Sequence, residues 1–298
     1  MSAEFTVDNL KDFLDTIRKE LPAKRCYFRG QSKLIDAGYE LRPSIGRYEE
    51  VQRLGFYERD KLERHCLDTF ENHLMTYVTH LPRNDWETLA IAQHHGLPTR
   101  FMDWTTNPLV ALYFAVRNSK RDKNGDSLDS AVYVLISEPK RYVDLKRNQS
   151  SVVRPIPDLV TERPVEEDAY EDYGLDEEDE HEMDSVLEEA GVSVETGEEA
   201  GEQKDVPSPF DITENIIYDP PHVSPRIRAQ DGVLLACHQP LQPLEERDYL
   251  EIVVKHESHD DIRQQLDQYG VFDKQLFPDL DGIAKWLKYR VFEIGGAL

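Results

Sequence analysis

Between Glu162 and Asp205 the chain carries 20 acidic side chains against two basic ones, Arg163 and Lys204. Such a run is poor in large apolar residues and cannot bury enough surface to offset the entropy of ordering it. It therefore cuts the sequence in two. Residues 1–160 and 208–298 read as the two parts of one folded domain, and residues 161–207, edged by prolines, read as an acidic, disordered insertion with room for a short helix near Asp184–Ala190. The segment has a net charge of −18, so the rest of the 298-residue chain carries only −6 of the total −24. Three uses of the insertion stay open: a solvated loop, a binding arm for a basic partner, or a polyanion lying over a basic groove of the same molecule in competition with nucleic acid.

The whole chain is 39% hydrophobic, enough for a substantial core. No stretch is long and apolar enough to span a bilayer, and the first twenty residues lack a basic segment followed by an apolar core, so neither membrane insertion nor a signal peptide is expected. Cys26, Cys66 and Cys237 are scattered and odd in number, which fits a reducing, cytoplasmic setting better than a disulfide framework.

Phe5, Leu10, Phe13, Leu14 and Ile17 recur at helical spacing, which predicts a helix with Thr6 or Asp8 as N-cap, ended by Pro22; a buried strand over Arg25–Gln31 stopping at Gly30 follows. A long helix over about Val51–His80 follows, with Leu54, Leu62, Leu67, Phe70, Leu74, Tyr77 and Val78 on its buried side. Asp85 caps a further helix that Gly96 ends. Asn107 and Pro108 open the next one as N-cap and first helical residue. Ala131–Ile136 reads as a strand; order returns after the acidic run at Ile212–Tyr218, and a strand inside Pro225–Gln239 (Gly232–His238) and another over Leu250–Lys255 follow. Asp260 or Asp261 opens a helix through Leu266, and Leu276–Phe292 reads as one last amphipathic helix. Short strands and helices without regular alternation point to an α+β fold, a small mixed sheet with surrounding helices.

The chemistry concentrates between Leu89 and Val116. A polar stretch between two apolar helices holds His94, His95, Arg100, Asp103, Trp104, Thr105, Thr106 and Asn107, with Gly96, Pro98 and Pro108 fixing the backbone. Asp103 is placed for a general base or a ribose contact, Trp104 for stacking or for the core, and Thr105 and Thr106 for nucleotide contacts or helix caps. Arg100 and Asp103 either pair with each other or serve a ligand. Arg29, beside Gly30 and Gln31, either forks onto a phosphate or pairs with a carboxylate such as Asp103. One of His94 and His95 suits a ribose contact or proton transfer, and the other a helix C-cap. Arg226, Arg228 and Gln230 alternate, so on a strand all three share a face that wants an anion. No zinc spacing, phosphate-binding glycine loop or GxSxG elbow is present, so no metal is expected.

The tetrapeptide Phe28-Arg29-Gly30-Gln31 resembles the signature of the FRG domain family. Residues 92–115 (AQHHGLPTRFMDWTTNPLVALYFA) are similar to that family's central motif, 225–235 (PRIRAQDGVLL) to its third block and 276–287 (LFPDLDGIAKWL) to its last helix. A more distant similarity is to ADP-ribosyltransferases, in which an Arg or His on the first strand, a Ser/Thr or aromatic block entering a helix, and a glutamate before a later strand surround NAD. That resemblance implies an NAD- or nucleotide-binding effector of toxin or antiviral-defence type, with nucleic acid as a candidate acceptor. It implies Arg29, Asp103 and Gln230 as catalytic residues, and Arg29, Gly30, Gln31, His95, Arg100, Trp104, Thr105, Thr106 and Arg228 as nucleotide contacts. Gln230 stands where the resemblance expects glutamate. A neutral amide binds a ribose hydroxyl but supplies no charge, so either Asp231 or Asp103 takes that role, the chemistry differs, or the domain is a binding module with the same pocket and no turnover.

Overall fold

The computed structural model describes residues 4–21, 24–74, 76–78, 81–147, 206–220 and 224–295. The acidic insertion and the helix expected near Asp184–Ala190 lie outside the described residues. The described residues belong to one unit assembled from both sides of residues 155–205.

The chain enters as a strand, β1 (Glu4–Val7), where a helix is expected from Phe5. Phe5 and Val7 fit either period. The strand prevails because Glu4–Val7 finds a parallel partner in a distant strand, with Val7 opposite Val254. Helix α1 (Leu10–Glu20) then starts at Asn9, whose side chain accepts from the Asp12 amide at 2.8 Å, and it buries Leu10 and Phe13. Strand β2 (Tyr27–Gln31) follows and runs through Gly30 rather than stopping there.

The expected long helix is shorter and split. A single turn, α2 (Glu49–Gln52), precedes α3 (Phe56–Leu74), which presents buried Leu67 and Leu74 but leaves Leu62 exposed; Tyr77 lies beyond its end and is exposed too. Helix α4 (Asp85–His94) is capped by Asn84 instead of Asp85 and ends before Gly96, whose φ of +89° suits glycine. The polar stretch after it is no loop. Phe101–Thr105 forms β3, in which only Asp103 is exposed. Phe101, Met102 and Trp104 supply apolar surface to both faces, and that demand overrides the polar look of the segment.

Helix α5 (Pro108–Val116) begins as expected, with the Asn107 side chain accepting from the Leu109 amide at 3.0 Å. Strand β4 (Ser130–Leu135) is buried at every position. Strand β5 (Lys140–Arg141) and helix α6 (Tyr142–Arg147) lead to the insertion, and β6 (Ile216–Tyr218) follows it. Ser224 and Pro225 make an N-cap and first-turn pair, so Pro225–Ala229 is a short helix, α7, and not a strand on which Arg226, Arg228 and Gln230 would share a face. Arg226 and Arg228 therefore do not share a face. Strands β7 (Gly232–Ala236) and β8 (Tyr249–Val254) are followed by helix α8 (His259–Gln268). The expected last helix is interrupted at Pro278 into α9 (Asp273–Leu276) and α10 (Leu280–Leu287), the latter capped by Asp279 and continued by a π-helical turn, Lys288–Glu293.

All eight strands join one mixed sheet in the order β1-β8-β4-β2-β3-β7-β6-β5, parallel at its two edge pairs and antiparallel between. The fold is α+β, with a sheet larger than expected. One face packs Phe28, Val132, Val134 and Ile252 against α1, α5 and α8. Toward β6 the Leu234 and Ala236 side chains pack against α3, α4 and α6. The other face holds Met102, Trp104, Tyr133 and Leu235 under Leu41 and the residues around it. Helix α5 lies directly on β2: a Cβ added to Gly30 would sit 1.8 Å from the Ala111 carbonyl oxygen. Among the described residues no helix is long and apolar enough to cross a membrane.

Candidate functional site

Strands β2 and β3 pair only at Phe28 and Thr105. Beyond that point Arg29, Gly30 and Gln31 follow β4, while Asp103, Met102 and Phe101 follow β7, so the two central strands part. A cavity of 300 Å³ opens there, beneath α4, α5 and α7. Consecutive residues of both strands, Phe28–Gly30 and Asp103–Thr105, form its wall, so it reaches the line between the strands. The size lies at the lower end of the range of small-molecule sites, roughly 300–1,000 Å³.

Asp103 is the only carboxylate among the described residues of that wall. Its Oδ2 accepts from the Gln93 side-chain amide at 3.2 Å. The direction of that amide is set from behind: Gln93 Oε1 accepts from the Thr99 hydroxyl at 2.8 Å, which leaves the NH2 group facing Asp103. The geometry offers a fixed, charged acceptor to whatever fills the cavity.

Arg29 lies in the gap. Strand alternation sends its side chain to the face of Tyr133, away from the Asp103 carboxylate, and its guanidinium donates to the backbone carbonyl of Asp103. Burial pushes its pKa below the ordinary arginine value; Asp103 partly restores it, and Arg47 lowers it further. Arg29 Nε and Trp104 Nε1 are buried donors with no hydrogen-bond partner. Both side chains lie on the sheet face that Tyr133 occupies, opposite the Asp103 carboxylate.

His94 closes another side. Its Nε2 shares a 3.2 Å hydrogen bond with Ser224 Oγ, which also accepts from the Arg226 amide at 3.2 Å. Burial first, then His95 and Arg226, depress the imidazole pKa, so His94 is neutral at pH 7. Gln230, at the end of α7, donates its side-chain amide to the Leu276 carbonyl at 2.9 Å. Its neighbour Asp231 has φ of +46° and accepts from the Asn107 amide at 3.1 Å. Thr105 Oγ1 donates to the Gln230 carbonyl at 2.7 Å, tying β3 to the α7 end.

Of the residues expected from sequence, Arg29, Gly30, Asp103, Trp104, Thr105 and Gln230 meet at this cavity. Gln31 does not line it; it is buried with its amide on the Tyr39 carbonyl. His95 is the exposed C-cap of α4. Thr106 donates its backbone amide to Asp231 O, and Arg228 is exposed on α7 outside the wall. Arg100 is not paired with Asp103. It is 2% exposed and bonds Glu63 through Nε and NH2, at 2.9 and 2.7 Å, and Asp60 at 2.7 Å, with its ring-stacking face on Phe210. Burial opposes its charge, but Glu63 and Asp60 outweigh that and raise its pKa. Of the expected anion-binding arginines Arg226 reaches the wall, and Gln93 reaches it without having been singled out. Position carries the only signal for Gln93, which lies one residue before the His94–His95 pair at the exit of α4.

Away from the cavity, Asp129, His256 and Glu257 bring three metal-ligand atoms within 4.8 Å of one another. The Asp129 carboxylate there already holds Lys255 Nζ at 2.8 Å. The buried Cys237 thiol is pushed up to about 12 by burial, which removes it as a nucleophile at neutral pH.

Together these features define a mixed-sheet α+β domain with a polar cavity at the parting of two central strands. Residues 24–124 match the FRG domain family model, and the chain carries an FRG domain. The match takes in the FRGQ strand and the Asp103 strand; residues 225–235 and 276–287 lie beyond it. No curated protein and no solved structure matches the chain.

Proposed function

We propose that the FRG domain of this chain binds NAD or a related nucleotide in the cavity between β2 and β3 and transfers an ADP-ribosyl group. In that reaction the bond from ribose C1′ to the nicotinamide nitrogen breaks, with the electron pair leaving on nicotinamide. A lone pair of the acceptor forms the new bond to C1′, and the acceptor loses a proton. Positive charge develops on the ribose as the bond breaks, and a fixed carboxylate in a confined site stabilises it. The observation that carries this reading is Asp103: the lone carboxylate of the cavity wall, exposed on an otherwise buried strand and held by Gln93. The acceptor in this reading is nucleic acid, and the setting is a cytoplasmic toxin or antiviral-defence effector.

The test is incubation of wild-type, Asp103→Ala and Asp103→Asn proteins with labelled NAD, cellular nucleic acid and cellular protein. Label transfer or nicotinamide release by wild type, lowered at least about 100-fold in both variants, is the expected result. Wild-type-like transfer by the variants would remove Asp103 from the chemistry.

A second reading is a sensor or adaptor that holds the nucleotide without turnover. One observation favours it: Gln230 is engaged by Leu276 and Asp231 by Asn107, so the region where the resemblance expects glutamate offers no free carboxylate. Thermal stabilisation by NAD with no nicotinamide release would select this reading.

A further inference from the structure

The expected anion-binding pair Arg226 and Arg228 is split by the helical geometry of α7. Arg226 lines the cavity, and Arg228 does not. The Arg226 guanidinium is exposed and stacks on the Phe277 ring with Cζ 4.6 Å from the ring centroid. Among the described residues no carboxylate lies within ion-pair distance of it. Phe277 is held from its own side by Arg117, 4.5 Å from the same centroid, which in turn bonds buried Asp273 at 3.0 Å. The stack therefore presents Arg226 from a braced platform. Beside it, Ser224 Oγ links the Arg226 backbone to the His94 ring. Arg29, the other guanidinium of the wall, is occupied by the Asp103 carbonyl and buried in the strand gap.

From this arrangement we propose that Arg226 and His94 form a phosphate subsite at the cavity, so that the site takes a nucleoside phosphate rather than a free nucleoside. The proposal rests on the nucleotide reading above and names which residue carries its anion. A planar guanidinium forks onto two phosphate oxygens, and the neutral imidazole of His94 has one ring nitrogen left beyond its Ser224 bond to donate to a third. Asp103 would repel a phosphate placed against it, so the ribose end faces Asp103 and the phosphate faces α7.

The experiment measures binding of adenosine, AMP, nicotinamide riboside and nicotinamide mononucleotide by calorimetry to wild-type, Arg226→Ala, Arg226→Lys and Arg228→Ala proteins. Circular dichroism checks that each is folded. In the wild type at least one nucleotide should bind about tenfold or more tightly than its nucleoside. Arg226→Ala should abolish that difference, read as the ratio of nucleotide to nucleoside affinity. Arg226→Lys should retain part of it, and Arg228→Ala all of it. A phosphate preference that survives in Arg226→Ala, or a wild type that binds nucleoside and nucleotide equally, overturns the subsite and leaves the nucleotide reading standing. If none of the four compounds binds the wild type, the nucleotide reading fails, and inorganic phosphate then decides the subsite. A phosphate-induced shift of the His94 ring resonances, present in wild type and absent in Arg226→Ala, supports it, and no shift overturns it.

Discussion

His259 shows how a single side chain in this fold sets a condition on the whole. It is 1% exposed, with Ser130 Oγ and Ser119 Oγ each 2.9 Å from a different ring nitrogen. Burial lowers its pKa from 6.5, against smaller raising effects of the Val254 carbonyl and Asp129. The folded histidine therefore stays neutral at a pH where the unfolded one takes a proton. The unfolded state binds more protons there, so stability rises with pH through that window and falls as pH drops below about 6.5. His94, also depressed, adds the same sign. Urea unfolding at a series of pH values should show the loss, at up to about 1.4 kcal/mol per pH unit for each such histidine. His259→Gln should flatten the slope; an unchanged slope would show that other groups set it. Residue chemistry at the site was partly legible. Asp103, Arg29 and Gln230 stand out in the sequence because their types are chemically rich, and the cavity gathers them. Arg100 stands out equally, yet its partners Glu63 and Asp60 lie forty residues back, and nothing local announces a buried ion pair over that separation.

Elements were legible where capping chemistry is local and illegible where a distant partner decides. Asn107 followed by Pro108 predicts the start of α5, and the side-chain bond to Leu109 forms. Ser224 followed by Pro225 carries the same signature, but the alternation of Arg226, Arg228 and Gln230 masks it. The β3 segment looks like a loop because Asp103 and the threonines dominate it. It is a strand because β7 pairs with every residue from Phe101 to Thr105. At this scale the tightest constraint is the seat of α5 on β2. Gly30→Ala would drive a methyl group into the Ala111 carbonyl, and the nearest atoms are helix backbone that cannot swing away. The substitution should cost about 1–3 kcal/mol or more, read as a lowered denaturant midpoint. It should also shift α5 away from the cavity wall, which Ala111 and Phe114 share, so nucleotide binding should weaken with it. Wild-type stability in this variant would show that α5 is free to slide.

Across the whole molecule, Leu145 before the insertion and Val206 after it pack in the same cluster, with Trp86, Phe101 and Phe210. The two parts of the domain thus meet around one core on either side of residues 155–205. Replacing those residues by a short Gly-Ser linker should leave Tm within about 4 °C of the full chain, measured by calorimetry; a larger fall would show that the core depends on the segment. The acidic run itself is legible in the sequence. The sheet order was not, because pairing of β1 with β8 or of β2 with β4 depends on which apolar faces meet after collapse, and many strand orders satisfy the same local patterns.

That first pairing sets a clock. Residue Val7 leaves the ribosome long before Val254, its parallel partner, exists. At about 5–20 residues per second the opening strand waits some 12–50 s for its place. The walls of the cavity are similarly gathered from Phe28 to Leu234. A nascent chain halted between residues 125 and 233 contains the FRG match and no finished pocket, so whatever this domain does to its surroundings waits until Leu234 has been added.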